Sequence, residues 1–295
     1  MVRGSQPYYS YRMPAHRTLL AVHAHPDDEC ISTGGILARY AAEGVRTVLV
    51  TCTDGAVGEI SDPALATPEN LAEVRAHELD ESLRVLNVSR SVRLGYRDSG
   101  MAGTPDNDDP RCFLQSSFEE AIERVVRVVR EEQPQVVVTY DERGGYGHPD
   151  HVRAHQVAVA AFEAAGDPAR YPSAGAPYAP AKLYYAVVPR SAMRSMGDRL
   201  RAAGVEVPFQ EIRDDEEMPF GVADERVTTF VDVSAYVPAK RASLVAHRTQ
   251  MGPEQFFMRL PEAVFGDIFG RETFQRVEGS GPVPEDDLFA GLDGR

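Results

Sequence analysis

The tripeptide His-Pro-Asp occurs twice in the 295-residue chain, in the strings His25–Asp28 (HPDD) and His148–His151 (HPDH). His25 and Asp28 are three residues apart, so a turn can point both side chains at one ion. His151 can supply a third ligand from the second string. Two imidazoles and one carboxylate suit zinc and leave a fourth position open for water, as in catalytic rather than structural zinc sites.

Asp27 lies between the two candidate ligands of the first string. It is free to face a water molecule as a general base, and a metal ion lowers the pKa of such a water to about 7. A single His-x-x-Asp string in a loop is more often a helix cap or half of a salt bridge than a metal site. The second string, about 120 residues further along the chain, favours the metal site.

Each string follows a predicted strand. The first comes directly after Thr18–Ala24, and the second follows Gln135–Tyr140 after the short loop 141–147. In an open α/β sheet, ligands bind beyond the carboxyl ends of the strands, where the strand order reverses. With the strand order 3-2-1-4, strands one and four are neighbours at that point. We therefore predict that the two strings converge on one crevice.

Apolar runs typical of strands alternate with helical patterns through the first half of the chain. The predicted strands are Thr18–Ala24, Arg46–Thr53, Ser91–Tyr96 and Gln135–Tyr140, and the predicted helices are Thr33–Glu43, Pro68–Leu86, Phe118–Glu132 and Asp150–Ala165. Parallel strands need crossover connections, and continuous Val/Leu runs are typical of strands buried on both faces. The sequence therefore predicts an α/β fold with a Rossmann-like, mostly parallel sheet and helices on both faces.

The second half of the chain is predicted to form a smaller C-terminal α/β extension. The whole chain then has four parts: an N-terminal arm (1–16), the Rossmann-like catalytic core (17–166), the extension that completes the substrate pocket (167–278) and a loose acidic tail (279–295). The elements predicted in the extension are the strands Lys182–Val188 and Arg226–Val233 and the helix Pro238–Arg248. The acidic run Asp214–Glu217 is interpreted as a solvated loop.

Composition restricts the class of partner. The net charge of −14 and the pI near 5.0 argue against nucleic acid, because binding a polyanion needs a basic face. An acidic surface is also poorly matched to an anionic membrane, and no run of about 18 apolar residues predicts a membrane-spanning helix. We read no signal peptide, and three scattered cysteines make no disulfide framework. These features favour the cytoplasm and a small-molecule substrate, with a homo-oligomer left open.

Two longer strings, AHPDDE (Ala24–Glu29) and GGYGHPDH (Gly144–His151), resemble the motifs of the LmbE-like, or PIG-L, family of zinc-dependent N-deacetylases. The similarity is greatest to the mycothiol-pathway branch and extends from about Thr18 to AHRTQ (Ala246–Gln250). The resemblance implies an amide hydrolase that removes an acyl group, expected to be acetyl, from the nitrogen of an amino-sugar conjugate. It also implies one Zn²⁺ per chain, for which other divalent metals can substitute.

The resemblance further implies roles for individual residues. The zinc ligands and the general base would be the residues already singled out, His25, Asp28, His151 and Asp27. Tyr146 and His148 would polarise the substrate carbonyl and stabilise the oxyanion. Asp150 would hold His148 in its tautomer and favour its charged form.

Substrate contacts are implied at two further positions. Arg75, in VRAHEL, would contact the polyol half of the substrate, and Asp98, in RDSGMAGT, would bind sugar hydroxyls. One departure concerns the conjugate amidases of this branch, which cleave the glucosamine–cysteine amide of mycothiol-type conjugates. We expect these to carry a lysine where this chain has Ser32, which favours a deacetylase over an amidase.

Other candidates have simpler interpretations. Cys30 is interpreted as buried filler rather than a nucleophile, because neighbouring carboxylates suppress the thiolate. His77 and His155 are interpreted as ordinary helix residues, whereas His247, in AHRTQ, could approach the pocket. A non-catalytic metal- or sugar-binding protein remains an alternative, although a structural metal site would have four protein ligands. A nucleotide-binding module lacks both a Walker A string and a GxGxxG fingerprint.

Overall fold

The structure, a computed structural model, describes residues 17–202, 204 and 221–292. The predicted N-terminal arm (1–16) and the acidic run Asp214–Glu217 lie outside these residues. The strands of the described part are β1 (Thr18–His23), β2 (Arg46–Thr53), β3 (Arg90–Tyr96), β4 (Val136–Tyr140), β5 (Lys182–Ala186), β6 (Thr229–Asp232) and β7 (Arg271–Glu278).

The helices of the described part are α1 (Asp28–Ser32), α2 (Gly34–Ala42), α3 (Leu71–Val85), α4 (Phe118–Glu132), α5 (Gly144–Gly147), α6 (Pro149–Ala165), α7 (Arg190–Ala202), α8 (Val237–Ala246), α9 (Phe256–Arg259) and α10 (Glu262–Phe269). None of these described helices combines the length and the hydropathy of a membrane-spanning segment. The helices predicted in the first half are all present, with ends shifted by a few residues.

The seven strands form one sheet in the order β3-β2-β1-β4-β5-β7-β6. The first five strands pair in parallel, and β7 is antiparallel to both β5 and β6. The predicted order 3-2-1-4 is therefore confirmed. Chain order runs away from the β1–β4 pair in both directions, so the carboxyl ends of these two strands flank the switch point.

Both faces of the sheet are covered, as the continuous apolar runs predict. All residues of β1 and β4 are buried. Side chains alternate between faces along a strand: Leu20 and Val22 belong to the apolar cluster that α4 and α6 complete, whereas Leu19 belongs to the cluster around Tyr40 of α2. The predicted Rossmann-like α/β fold is confirmed.

The C-terminal third continues the same sheet, because β5 pairs with β4. The structure corrects the prediction of a loose tail for residues 279–292, the described part of that segment. Leu288 and Phe289 are buried in the cluster that contains Tyr40, and the Glu285 carboxylate lies 2.9 Å from Lys182 Nζ. The acidic composition of this segment predicts a loose tail, but its two apolar side chains pack against the core and anchor it. The division of the chain into four parts stays a prediction.

Candidate active site

The first His-Pro-Asp string forms the turn that follows β1. Asp28 begins the short helix α1, and its Oδ2 accepts hydrogen bonds from the His25 backbone N–H and from the Tyr140 hydroxyl, both at 2.7 Å. The same hydroxyl accepts the backbone N–H of Ala24 at 2.7 Å. Because Tyr140 is the last residue of β4, it joins the end of this strand to the turn after β1.

The second string begins α6. Asp141, directly after β4, accepts the Gly145 N–H at 2.7 Å and shapes the glycine-rich loop. Gly144 has a φ of +64°, and a Cβ there would lie 2.6 Å from the Cβ of His151, so the close approach requires glycine. His148 is the N-cap of α6 and Pro149 its first residue, a favourable place for proline.

Three side chains from the two strings converge, with Asp28 offering a different oxygen to each histidine. His25 Nδ1 lies 3.1 Å from His151 Nε2 and 3.4 Å from Asp28 Oδ2, and His151 Nε2 lies 3.3 Å from Asp28 Oδ1. Ligands at 2.0–2.1 Å around a tetrahedral zinc ion are separated by about 3.3–3.4 Å. The predicted convergence is confirmed, and the spacing fits a small divalent cation.

Hydrogen bonds on the outer side of both imidazoles support the same interpretation. His25 Nε2 lies 3.2 Å from Asp150 Oδ2, and His151 Nδ1 lies 3.1 Å from the Gly144 carbonyl oxygen. Each acceptor requires the proton on that outer nitrogen, so the two inner nitrogens face each other as lone pairs when the rings are neutral. A cation between them removes this repulsion, so the donor set fits a metal.

The charge around the donor atoms is strongly negative. Burial opposes a charged imidazole, yet hydrogen bonds to Asp150, Asp28 and Asp98 hold the pKa of His25 well above its usual value. Burial likewise opposes a charged Asp28, but His151 and His25 hold the pKa of that carboxyl well below its usual range. A site that favours positive charge this strongly is suited to a metal ion.

Asp27 and Arg75 form a pair directly behind the turn. Arg75 Nη2 lies 3.0 Å from Asp27 Oδ2 and also donates to the Pro26 carbonyl, while Nη1 donates to the Gly55 carbonyl at 2.9 Å. Burial raises the pKa of Asp27 to about 6, although Arg75 acts in the opposite direction. Arg75 is itself buried, so its guanidinium supports the turn; the predicted contact with the substrate stays a prediction.

Asp98 lies near the outer nitrogen of His25. Its Oδ1 accepts the Gly100 N–H at 2.8 Å and lies 3.6 Å from His25 Nε2. Burial opposes its ionisation, but His25 holds the pKa of this carboxyl well below its usual range. The structure thus brings Asp98 to the edge of the candidate metal site.

The prediction that the Asp150 carboxylate lies directly behind the His148 ring is corrected by the structure, although the charge of that carboxylate does favour a raised His148 pKa. That carboxylate instead accepts hydrogen bonds from the backbone N–H of Ser99 at 2.9 Å, from the Ser99 hydroxyl and from His25 Nε2. His148 contacts Asp150 through the backbone, because its Nδ1 accepts the Asp150 N–H at 3.1 Å. This cap requires an unprotonated Nδ1, so it favours the neutral ring with the proton on Nε2.

His148 and Tyr146 both lie beside the candidate metal ligands. The His148 ring centroid is 4.5 Å from that of His25, and the Tyr146 ring centroid is 5.0 Å from that of His151. Burial, together with His25 and His151, lowers the pKa of His148 to about 4. Tyr146 is 46% exposed, so its ring lines the open side of the site.

Comparison with known proteins gives the family of the chain. Residues 20–162 match the PIG-L family, described as GlcNAc-PI de-N-acetylase. The chain is 45% identical over 294 residues to the 1D-myo-inositol 2-acetamido-2-deoxy-alpha-D-glucopyranoside deacetylase of Geodermatophilus obscurus, covering 96% of this chain and all of that relative. The chain is also 45% identical to the 1D-myo-inositol 2-acetamido-2-deoxy-alpha-D-glucopyranoside deacetylase 1 of Catenulispora acidiphila, in an alignment that covers 94% of this chain and 90% of that relative. The chain belongs to the PIG-L family.

Membership of the PIG-L family confirms the predicted resemblance and the prediction of an amide-hydrolysing deacetylase. Among solved structures, the N,N'-diacetylchitobiose deacetylase of Pyrococcus horikoshii matches with a TM-score of 0.63 and 21% identity, covering 90% of this chain and 85% of that one. At this identity the likeness concerns the fold, and it agrees with the observed α/β architecture.

Several residues of the candidate site, among them Tyr140, Ser99, Glu78 and Ser82, were not predicted from the sequence. Tyr140 and Ser99 hold two of the candidate site carboxylates, Asp28 and Asp150. On α3, the buried polar residues Arg75, Glu78 and Ser82 follow the i, i+3, i+7 spacing of one helix face. That spacing could have predicted a polar contact face on α3, because buried polar side chains need hydrogen-bond partners.

The remaining candidates lie as follows. Cys30 is buried, and burial raises the pKa of its thiol well above the usual value, in agreement with its interpretation as filler. His77 is exposed on α3. His155 lies on α6, and its Nδ1 is 2.9 Å from the carbonyl oxygen of Tyr140. His247 does approach the first string, because its Nε2 lies 2.7 Å from Oε1 of Glu29, the residue that follows the string.

Proposed function

We propose that this protein is a zinc-dependent deacetylase that removes the acetyl group from an N-acetylglucosaminyl-inositol. The observation that carries the proposal is the convergence of the His25, Asp28 and His151 side chains at the β1–β4 switch point, with Asp27 next to Asp28 in sequence. The substrate is suggested by the names of relatives that align over nearly the whole chain.

His25 Nδ1, Asp28 and His151 Nε2 would hold the zinc ion. Bound there, zinc would supply Lewis-acid chemistry that lowers the pKa of the attacking water and polarises the amide carbonyl. Asp150 and the Gly144 carbonyl would fix the two imidazoles by accepting their outer N–H groups. Other divalent ions of similar size would substitute, since affinity depends on geometry and availability as well as on identity.

Asp27 would act as the general base. Its carboxylate accepts a proton from the attacking water and can later return it to the leaving amine. A pKa raised to about 6 by burial leaves the group ionised at neutral pH but close enough to neutrality to transfer a proton in both directions. The adjacent Arg75 guanidinium holds the carboxylate in place.

His148 and Tyr146 would stabilise the oxyanion. The helix cap leaves His148 with a proton on Nε2, so the neutral ring can donate to the carbonyl oxygen as negative charge develops. The Tyr146 hydroxyl would provide a second donor from the exposed side of the site. Asp98 would accept hydrogen bonds from sugar hydroxyls, with Arg75 near the polyol half. A cytoplasmic location and a homo-oligomer stay predictions from the sequence.

The test is acetate release by the purified protein. Protein stripped by a chelator and given one equivalent of Zn²⁺ should release acetate from N-acetylglucosaminyl-inositol, with much slower release from free N-acetylglucosamine. A mycothiol conjugate offered in parallel tests the amidase alternative. Release of glucosaminyl-inositol from that conjugate, without acetate release from the first substrate, would replace the deacetylase with an amidase. Undiminished activity in excess chelator would refute the metal dependence.

A further inference from the structure

A fully buried carboxylate lies directly behind the proposed general base. Glu29 is 0% exposed, and its Oε2 accepts the backbone N–H of Asp27 at 2.9 Å. Its Oε1 accepts the Ser82 hydroxyl of α3 and lies 2.7 Å from His247 Nε2. One carboxylate therefore joins the turn after β1 to two distant parts of the chain.

His247 is 218 residues from Glu29 in the chain and also 0% exposed. It follows α8, and the segment after it is held in turn by Glu78, which accepts the Thr249 N–H at 2.8 Å and the Thr249 hydroxyl at 2.6 Å. Glu78 and Ser82 share one face of α3. The polar stripe of that helix thus fixes both the carboxylate and the segment that carries its histidine partner.

The backbone of Asp27 needs such support. Its φ of 120° lies outside the left-handed helical region of about +50° to +70°. The other described non-glycine residues with positive φ have values of 47° to 54°, and they are Asn87, Gln133 and Tyr171. Backbone in sparsely populated regions persists only where the surrounding structure holds it. The Glu29 carboxylate holds the amide of Asp27, and Arg75 holds the preceding carbonyl.

We propose that Glu29 and His247 form a positioning pair for Asp27. Glu29 fixes the Asp27 amide and with it the direction of the Asp27 side chain, and His247 fixes the rotamer of Glu29 by donating from Nε2. A buried carboxylate is tolerated only when its oxygens are hydrogen-bonded or paired, which is what His247 and Ser82 supply. The proposal rests on the proposed function, in which Asp27 is the general base.

A second metal site is the alternative for these side chains, because ligand atoms of Glu29, Cys30 and His247 lie within 4.8 Å of one another. The hydrogen bonds argue against it. Both Glu29 oxygens already accept protein donors, and the Cys30 thiol donates to the Asp27 carbonyl oxygen at 2.8 Å. The thiol is further disfavoured as a ligand because burial raises its pKa.

The experiment compares two amides at position 247. In His247→Gln the side-chain amide can occupy the place of Nε2 and donate to Glu29. In His247→Asn the amide occupies the place of Nδ1, an atom with no hydrogen-bond partner among the described residues. Both variants are polar and similar in size, so thermal unfolding measures any shared loss of stability. We expect His247→Gln to keep most of kcat and His247→Asn to lose up to about 10²-fold, with KM and zinc content unchanged in both.

Lys182→Met is the matched control, since Lys182 forms a buried pair with Glu285 at the amino end of β5, away from the carboxyl ends of the strands. It should lower the unfolding temperature and leave kcat unchanged. Equal kcat values in His247→Gln and His247→Asn would overturn the proposal, because the position of the donor would then not matter.

A double-mutant cycle with Asp27→Asn separates this proposal from the proposed function. If the pair acts through Asp27, adding His247→Asn to Asp27→Asn lowers kcat no further. A further loss equal to that of the single variant would mean a role independent of Asp27, and the positioning pair would be refuted. Full activity of Asp27→Asn itself would instead refute the general base, and with it the proposed mechanism.

Discussion

The same tripeptide, His-Pro-Asp, adopts two different local structures in this protein. In the first string the N-cap of the following helix is Asp27, the third residue of the tripeptide, whereas in the second it is His148, the first residue. The helix therefore begins two residues later in the first string. Asp27 is left in a strained turn with φ 120°, whereas Asp150 lies in the first turn of α6.

This shift gives equivalent residues different tasks. The first histidine, His25, turns Nδ1 toward the candidate metal site, while its counterpart His148 uses Nδ1 to cap a helix. Asp27 is the proposed base, and its counterpart Asp150 orients His25. Only the residue after each tripeptide is a proposed metal ligand in both strings. A repeated motif thus predicts a shared location more safely than a shared role.

The largest difference between the strings should appear in Asp27→Asn. Removal of a general base lowers the rate by about 10²- to 10⁴-fold, and zinc content should stay at one per chain because Asp27 is not a proposed ligand. Measurement of kcat beside elemental analysis checks this. Loss of zinc, with kcat recovered in excess metal, would make Asp27 a ligand instead.

Two variants of His148 should separate its role as a helix cap from its proposed role in catalysis. His148→Asn retains an N-cap acceptor, whereas His148→Ala removes it and loses about 1 kcal/mol of stability. Both lose the donor for the oxyanion, so both should lower kcat by about 10²- to 10³-fold. We expect the two variants to differ in their unfolding midpoints and to have equal kcat values. A near-normal rate in His148→Asn would show that His148 acts only as a helix cap.

Asp150→Asn is the counterpart of Asp27→Asn in the second string. The variant weakens the acceptor that holds the outer N–H of His25, so zinc affinity should fall by about 10- to 100-fold. Competition with a chromophoric chelator measures the affinity. Because Asp150 is not the base, activity should recover at saturating zinc, and a large kcat defect that persists there would contradict the division of tasks.

The smallest effect expected is a pH dependence. Asp27 must be ionised to accept a proton, so kcat/KM should fall about tenfold for each pH unit below its pKa. Burial raises this pKa to about 6, and a bound cation would lower it again, so the acid limb should have its midpoint at or below about 6. The limb should vanish in Asp27→Asn; the same limb in that variant would assign it to another group.

Much of the scaffold was predictable from the sequence. The strand order and the meeting of the two strings follow from general rules for parallel sheets, and the structure has both. The shift in helix start was not predictable from the repeated tripeptide, because it depends on what holds each turn. Glu29 and Arg75 hold the first turn, and His148 caps the second.

The long-range partners of buried polar residues were also not predictable from the sequence. Nothing in the local sequence indicates that Ser99, rather than His148, contacts the Asp150 carboxylate, or that Glu29 pairs with His247. These contacts arise only when separate loops meet at the switch point. The tail shows the same limit, because Leu288 and Phe289 find their apolar cluster only in the folded chain.

The central claim is that the two strings share one metal ion but contribute to it unequally. A crystal grown with Zn²⁺ and measured above and below the zinc absorption edge tests it directly. The anomalous peak should lie at about 2.0–2.2 Å from His25 Nδ1, Asp28 and His151 Nε2, with the His148 ring outside bonding distance. His25, His148 and His151 also offer nitrogens within 4.8 Å of one another. A peak bonded to these three nitrogens, with Asp28 outside the coordination sphere, would contradict the account.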